Sequence, residues 1–182
     1  MKMSRNMTIH GTTIVCVRKD GQVAMGGDGQ MTLGSQIIKA GTKKVRKLYD
    51  GNVLVGFAGA TADAMTLMEL FEKKLQEYSG NLMRASVELA KMWRTDRMLQ
   101  KLEAMLLVAD REHTILLSGA GDVIEPENDV ASIGSGSGFA LAAARAYLDV
   151  SSLTAEETVK RSLLIASEIC IYTDNILTVE VL

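Results

Sequence analysis

The stretch "TTIVCVRKDGQVAMGGD", residues 12 to 28, decides how the chain is read. Its first seven residues alternate and are rich in β-branched side chains, which favours a pleated, half-buried strand. Asp20-Gly21 suits a tight turn with positive φ, and "VAMGGD" then reads as a returning strand, so the spacing predicts a β-hairpin. In front of it stands a short leader, "MKMSRNMTIHG", that ends in glycine directly before two consecutive threonines.

A second unit of the same kind follows, with "KKVRKLY", a turn at Asp50-Gly51, and the apolar run "NVLVGFAG". From Thr61 the period changes to three or four residues: Ala64, Met68, Phe71, Leu75 and Tyr78 share a face, and Gly80 stands where a helix stops. Asn81 is placed to cap a second helix with Leu82, Ala85, Leu89 and Trp93 on its buried stripe and Glu88, Lys91 and Arg94 facing water. "AMLLVAD" and "HTILLSG" read as strands, and "DVIEPEND", with the single proline Pro126, as a turn region. "VASIGSGSG" leads into an alanine-rich helix from about Phe139 to Leu148. Thr154 and Glu157 have capping-box spacing at the head of another helix, and "ILTVEVL" closes the chain as a strand. This order is not a βαβ alternation, so the expectation is an α+β sandwich in one domain rather than a doubly wound parallel sheet.

Composition narrows the function. The 182 residues are 47% hydrophobic and 23% charged, which suits one domain with its own core. A net charge of −2 supplies no basic field for nucleic acid or an anionic membrane. Cys16 and Cys170 lie far apart in apolar runs and read as reduced thiols of a cytosolic protein. The leader has no apolar core of the signal-peptide kind, and no stretch is apolar for the length of a membrane span. Met1, Met3 and Met7 are alternative starts, all upstream of Thr12.

The threonine pair carries the chemistry. A mid-chain hydroxyl is a poor nucleophile, but a threonine at a chain terminus has its own α-amine, with a reference pKa of about 7.7–8.0, to take the hydroxyl proton. With the leader attached, the Thr12 nitrogen is an amide and has no such basicity. Cleavage between Gly11 and Thr12 is therefore the expected activating step, and glycine eases attack by the Thr12 hydroxyl on the preceding carbonyl. An ordinary first strand explains the same letters.

A nucleophile of this type needs a nearby cation and an anion to position it, and Lys44 and Asp28 are the candidates. Strand alternation places Lys44 with Arg46 on one face and Lys43, Val45 and Lys47 on the other; a solvated basic edge strand is the competing reading. "GFAG", Gly56 to Gly59, offers backbone amides for an oxyanion, although glycines there also serve close packing. "GSGSG", Gly134 to Gly138, precedes a helix but lacks the lysine of a phosphate loop and the dinucleotide spacing. Ser135 within it is a candidate hydroxyl beside the Thr12 amine.

The series "TTIV", "GDGQMTLG", "KKVRKLYDGNVLVGFAGATADAMTL", "ELFEKKL", "ASVELAKMWRTDRMLQKLEAMLLVAD", "IEPENDVASIGSGSG" and "EICIYT" resembles, in order and spacing from Thr12 to Leu182, the HslV (ClpQ) family. These are threonine peptidases of a bacterial ATP-dependent protease and relatives of proteasome β subunits. The resemblance implies a four-layer αββα sandwich of the N-terminal-nucleophile hydrolase type, with residues 1–11 as a propeptide and 12–182 as the peptidase domain. It implies Thr12 as nucleophile, Asp28 and Lys44 as the charged pair behind it, Ser135 beside the terminal amine and Gly56 as oxyanion donor. It further implies a Na⁺ ion on main-chain carbonyls at Ser167, Cys170 and Thr173, hard ligands suited to an alkali cation.

The implied assembly is a dodecamer of two stacked six-membered rings, partnered by the hexameric AAA+ unfoldase HslU (ClpY), which feeds unfolded protein to sites in an inner chamber. No nucleotide would bind the peptidase itself, and the location would be cytoplasmic. The chain departs from the family at Ser137 and Ser167, where glycine is frequent, and in a leader longer than a single methionine. Two alternatives from other classes are a non-catalytic scaffold subunit of the same ring and a phosphate-binding module built on "GSGSG".

Overall fold

The computed structural model describes residues 9–10, 12–33, 36–150 and 152–182. Leader residues 1–8 and Gly11, with the flexibility expected of that glycine, lie outside the described residues. Strands β2 (Thr13–Lys19) and β3 (Gln22–Asp28) form the predicted hairpin, and the turn residues Asp20 and Gly21 take φ of 50° and 76°. They are the central strands of a four-stranded sheet with β11 (Val130–Gly134) on one side and β12 (Leu177–Val181) on the other. A five-stranded sheet contains, in spatial order, β10 (Val123–Ile124), β9 (Thr114–Ser118), β8 (Ala104–Ala109), β7 (Val53–Gly59) and β6 (Val45–Leu48). Every ladder among the described residues is antiparallel, as expected for a chain without βαβ units.

The two sheets face each other across Ile14, Cys16, Met25, Leu54, Leu107 and Ile133. Helices α1 (Thr61–Glu77) and α2 (Leu82–Thr95) cover the outer face of the five-stranded sheet through Leu67, Phe71, Leu75, Leu89 and Trp93. Helices α3 (Ser137–Val150) and α4 (Ala155–Ile169) cover the other through Ala140, Ala144, Val159 and Leu163. The result is the αββα sandwich. It explains why Thr13 through Val17 are all buried: Ile14 and Cys16 face the opposite sheet while Val15 and Val17 face the helices. A strand covered on both faces loses the polar half of its alternation.

Asn81 caps α2 through Arg84 N–H at 2.8 Å, and Thr154 with Glu157 makes the predicted capping box on α4. Other elements differ from expectation. A small separate sheet contains β1 (Ile9–His10), β4 (Met31–Leu33) and β5 (Gln36–Lys39); leader residues Ile9 and His10 stand opposite Leu33 and Thr32. Part of the expected turn region forms β10. Helix α3 starts at Ser137, two residues early, so the end of "GSGSG" is its first turn.

Candidate active site

The hairpin register sets the geometry. Pairing of Ile14 with Gly27 puts Thr13, at the start of β2, beside Asp28, at the end of β3. The main-chain N–H of Thr13 donates to Asp28 Oδ1 at 2.6 Å, and that of Gln30 donates to Oδ2 at 3.0 Å. Lys44 completes the group, with Nζ 3.2 and 3.3 Å from the two carboxylate oxygens and 2.5 Å from the Gln30 carbonyl. Asp28 and Lys44 are 0% and 2% exposed, so each charge has traded water for the other.

Burial pushes the Asp28 carboxyl up, opposed by the Lys44 charge and by the N–H donors of Thr13 and Gln30. Burial pushes the Lys44 ammonium down, opposed chiefly by Asp28 and more weakly by Asp174. The contact with Asp28 favours the ammonium form, and a positive charge at this place opposes protonation of a neighbouring amine.

On the other flank of β2, Ser135 N–H donates to the Thr12 carbonyl at 2.8 Å, and Gly136 N–H donates to Thr13 Oγ1 at 3.0 Å. Gly134, with φ of 95°, allows this approach: a Cβ there would overlap the Thr12 carbonyl oxygen. The amides of Ser135 and Gly136 are thus turned onto the two threonines and committed, which removes them from any phosphate cradle. Hydrogen bonds thereby link Thr12, Asp28, Lys44 and Ser135 in one place, around the start of β2.

Two expected positions are corrected. Lys44 precedes β6 instead of lying in it, and Arg46 and Lys47 are exposed while Lys44 is buried, so the alternation that grouped Lys44 with Arg46 does not hold. Gly56 does not join the site. It lies inside β7, between Val45 and Leu107, where a side chain would collide with Ile14 and Met25. Ala60 N–H donates to the Glu103 carbonyl, and antiparallel alternation turns the Gly56 N–H the same way, into the ladder with Leu107. Gly59, at the exposed end of β7, has the opposite parity and lies beyond the start of β6. Absence of a side chain marked both glycines in the sequence; only the register separates them.

The loop after α4, where the resemblance implied cation ligands at Cys170 and Thr173, also touches the start of β2, a contact the sequence did not indicate. Thr173 and Thr13 share a hydroxyl hydrogen bond of 2.7 Å. Asp174 Oδ1 accepts from Gly29 N–H at 2.9 Å and from Ile176 N–H at 3.1 Å, and Gln30 Nε2 donates to the Ile171 carbonyl at 2.9 Å. This loop contains two of the three proposed cation positions. Among the described residues no cluster of acidic, His and Cys side chains could hold a metal, so a cation here depends on oxygen from the main chain. The Ser167 carbonyl belongs to the last turn of α4, where helix carbonyls lack intrahelical partners and carry partial negative charge. That donor set fits a hard monovalent ion. The Cys170 carbonyl also accepts Thr173 N–H at 3.0 Å, leaving one lone pair.

The layers and the threonine-headed hairpin define the N-terminal-nucleophile hydrolase class. Residues 8–182 match the proteasome-subunit family, and the chain belongs to that family. Among solved structures, it is 47% identical to a eukaryotic HslV from Trypanosoma brucei, with a TM-score of 0.88 covering 93% of this chain and 98% of that one. It is therefore an HslV-type relative of proteasome β subunits, a proteolytic subunit of a proteasome-type protease. Two structures of the Thiobacillus denitrificans protein BPH, one in complex with epoxomicin, share the fold at 20% and 21% identity and a TM-score of 0.72; each match covers 93% of this chain and 97% of that one. No helix among the described residues is long and apolar enough to cross a membrane.

Proposed function

We propose that the chain is a threonine-type endopeptidase whose nucleophile is Thr12, exposed by cleavage after Gly11. The observation that carries this reading is Asp28, a buried carboxylate that binds the N–H of Thr13 on one side and Lys44 Nζ on the other. A structural strand start has no need of a buried lysine, which costs free energy unless paired.

In the maturation step the Thr12 hydroxyl adds to the Gly11 carbonyl, the Gly11–Thr12 amide bond breaks as an ester forms, and water hydrolyses the ester. The α-amine is then free. In turnover it takes the hydroxyl proton while Oγ1 attacks the scissile carbonyl, and it returns that proton to the departing amine. Water resolves the resulting acyl-enzyme ester. Lys44 disfavours a second positive charge and so holds the amine neutral, with Asp28 fixing Lys44 in place. Gly59, with its N–H directed away from β8, replaces Gly56 as the oxyanion donor of this proposal. Ser135 keeps the role of a hydroxyl beside the new amine.

Pairing of Ile9 and His10 with β4 indicates how a substrate is held: once the leader leaves, the β4 edge is open to another extended chain. Such an edge accepts main chain of any sequence, which suits degradation of unfolded proteins. The carbonyls of Ser167, Cys170 and Thr173 would hold Na⁺, whose contribution is to stiffen the loop that carries Thr173 to Thr13. The proposed assembly is a cytoplasmic dodecamer of stacked hexameric rings fed by the AAA+ ATPase HslU (ClpY).

Thr12→Ala tests the reading. It should keep its leader by intact mass, form the same oligomer, and hydrolyse fluorogenic peptides at background rate. Peptide hydrolysis at the wild-type rate would reject it.

A further inference from the structure

A cavity of about 470 Å³ opens beside Ser135, walled by Ala58, Ala104, Met105 and Ile133, with Ser137 and exposed Glu103 also lining it. It lies between the ends of β7 and β8 and the start of α3. A cavity of similar size at Tyr49, Asn81 and His113 is lined by none of the residues around Thr12.

The sheet order fixes which flank of the nucleophile the first cavity serves. β2 has β3 on one side and β11 on the other. The leader pairs with β4, which begins at Met31 directly after β3 ends at Asp28 and so continues from the β3 flank. Ser135, which follows β11, lies on the opposite side and donates its N–H to the Thr12 carbonyl. In the proposed maturation step the leader supplies the acyl group, so its path marks where residues before a scissile bond lie. The residue after the bond then departs on the Ser135 flank, where the cavity begins.

We propose that this cavity is the subsite for the residue that follows the scissile bond, and that it takes a medium-sized apolar side chain such as leucine, isoleucine, valine or methionine. The inference rests on the reading of Thr12 as nucleophile. The walls offer three aliphatic residues and a thioether, and Met105 adapts its shape to branched or unbranched occupants. The Ser132 hydroxyl donates to the Ile14 carbonyl at 2.6 Å and so does not demand a polar partner from the substrate. Glu103 sets a further preference, because a carboxylate brought beside it meets like charge. Aspartate and glutamate are therefore disfavoured after the cut.

The test is mass-spectrometric mapping of cleavage sites made by the purified assembled protein in reduced, alkylated casein. At the position after the cut, apolar residues of this size should be enriched about tenfold over glycine, in line with the selectivity of a pocket for a few methylenes. Acidic residues should be depleted. Ala104→Phe and Ser137→Phe fill the cavity from β8 and from α3, and either should shift that position toward glycine, alanine and serine while the preference before the cut stays unchanged. Glu103→Gln should restore acidic residues. A wild-type distribution that follows the composition of casein would overturn the subsite, as would a filled variant with the wild-type distribution. No cleavage at all by wild-type protein would instead reject the proposed peptidase.

Discussion

Lys44 Nζ lies 3.2 Å from Asp28 Oδ1 with both side chains removed from solvent, so neither residue can be changed without leaving a charge stranded. In Lys44→Ala the Asp28 carboxylate loses its counter-charge but keeps the N–H groups of Thr13 and Gln30. Removing one partner of a buried ion pair costs about 3–5 kcal/mol. Peptide hydrolysis should fall at least about 100-fold, the scale of a general base left in its protonated form. Denaturant melts and steady-state rates on the same preparation measure both; hydrolysis at the wild-type rate would remove Lys44 from the site.

Gly134→Ala should be more damaging than its chemistry suggests. Alanine strains a φ of 95°, and its Cβ takes the space of the Thr12 carbonyl. Thr12 must shift, so kcat should drop about 100-fold, the cost of a displacement near 1 Å at a reacting group. Circular dichroism should still report the native content of helix and strand.

Thr13 acts through its own hydroxyl. Thr13→Val keeps shape and β propensity but leaves Gly136 N–H and the Thr173 hydroxyl without this partner, at a cost of roughly 1–3 kcal/mol. Thr13→Ser retains the hydroxyl and should recover most of that loss in thermal melts. Equal stability of the two variants would show that the hydrogen bonds contribute nothing.

Cys16 gives a pH dependence. Burial pushes its thiol up to about 12 from 9.0. The native state therefore keeps the proton while the unfolded chain loses it. The stabilisation is complete below pH 9 and is lost as pH rises toward 12, at roughly 1.4 kcal/mol per pH unit. Cys16→Val should flatten this alkaline decline. At pH 8 a thiol reagent should modify Cys16 only after denaturation.

The sequence was most informative where local chemistry and tertiary structure agree. Asp20-Gly21 made the first hairpin legible, and with it the proximity of Thr13 and Asp28; the capping box on α4 was equally plain. Lys44 was found by its charge but placed by the wrong argument, because β6 begins one residue later. The hairpin of β4 and β5 escaped notice because Ile37 and Ile38 are both exposed, so no alternation marks a buried face. Gly56 and Gly59 could not be ranked without the register of β7 against β6 and β8. Thr173 and Asp174 reach the site from more than 140 residues away, through contacts that leave no local pattern.

The account depends most on where the active polypeptide begins. Intact mass of purified, peptide-hydrolysing protein should equal that of residues 12–182, with Thr12 recovered as the first residue by amino-terminal sequencing. Full hydrolytic activity in material whose every chain still carries Gly11 joined to Thr12 would contradict it.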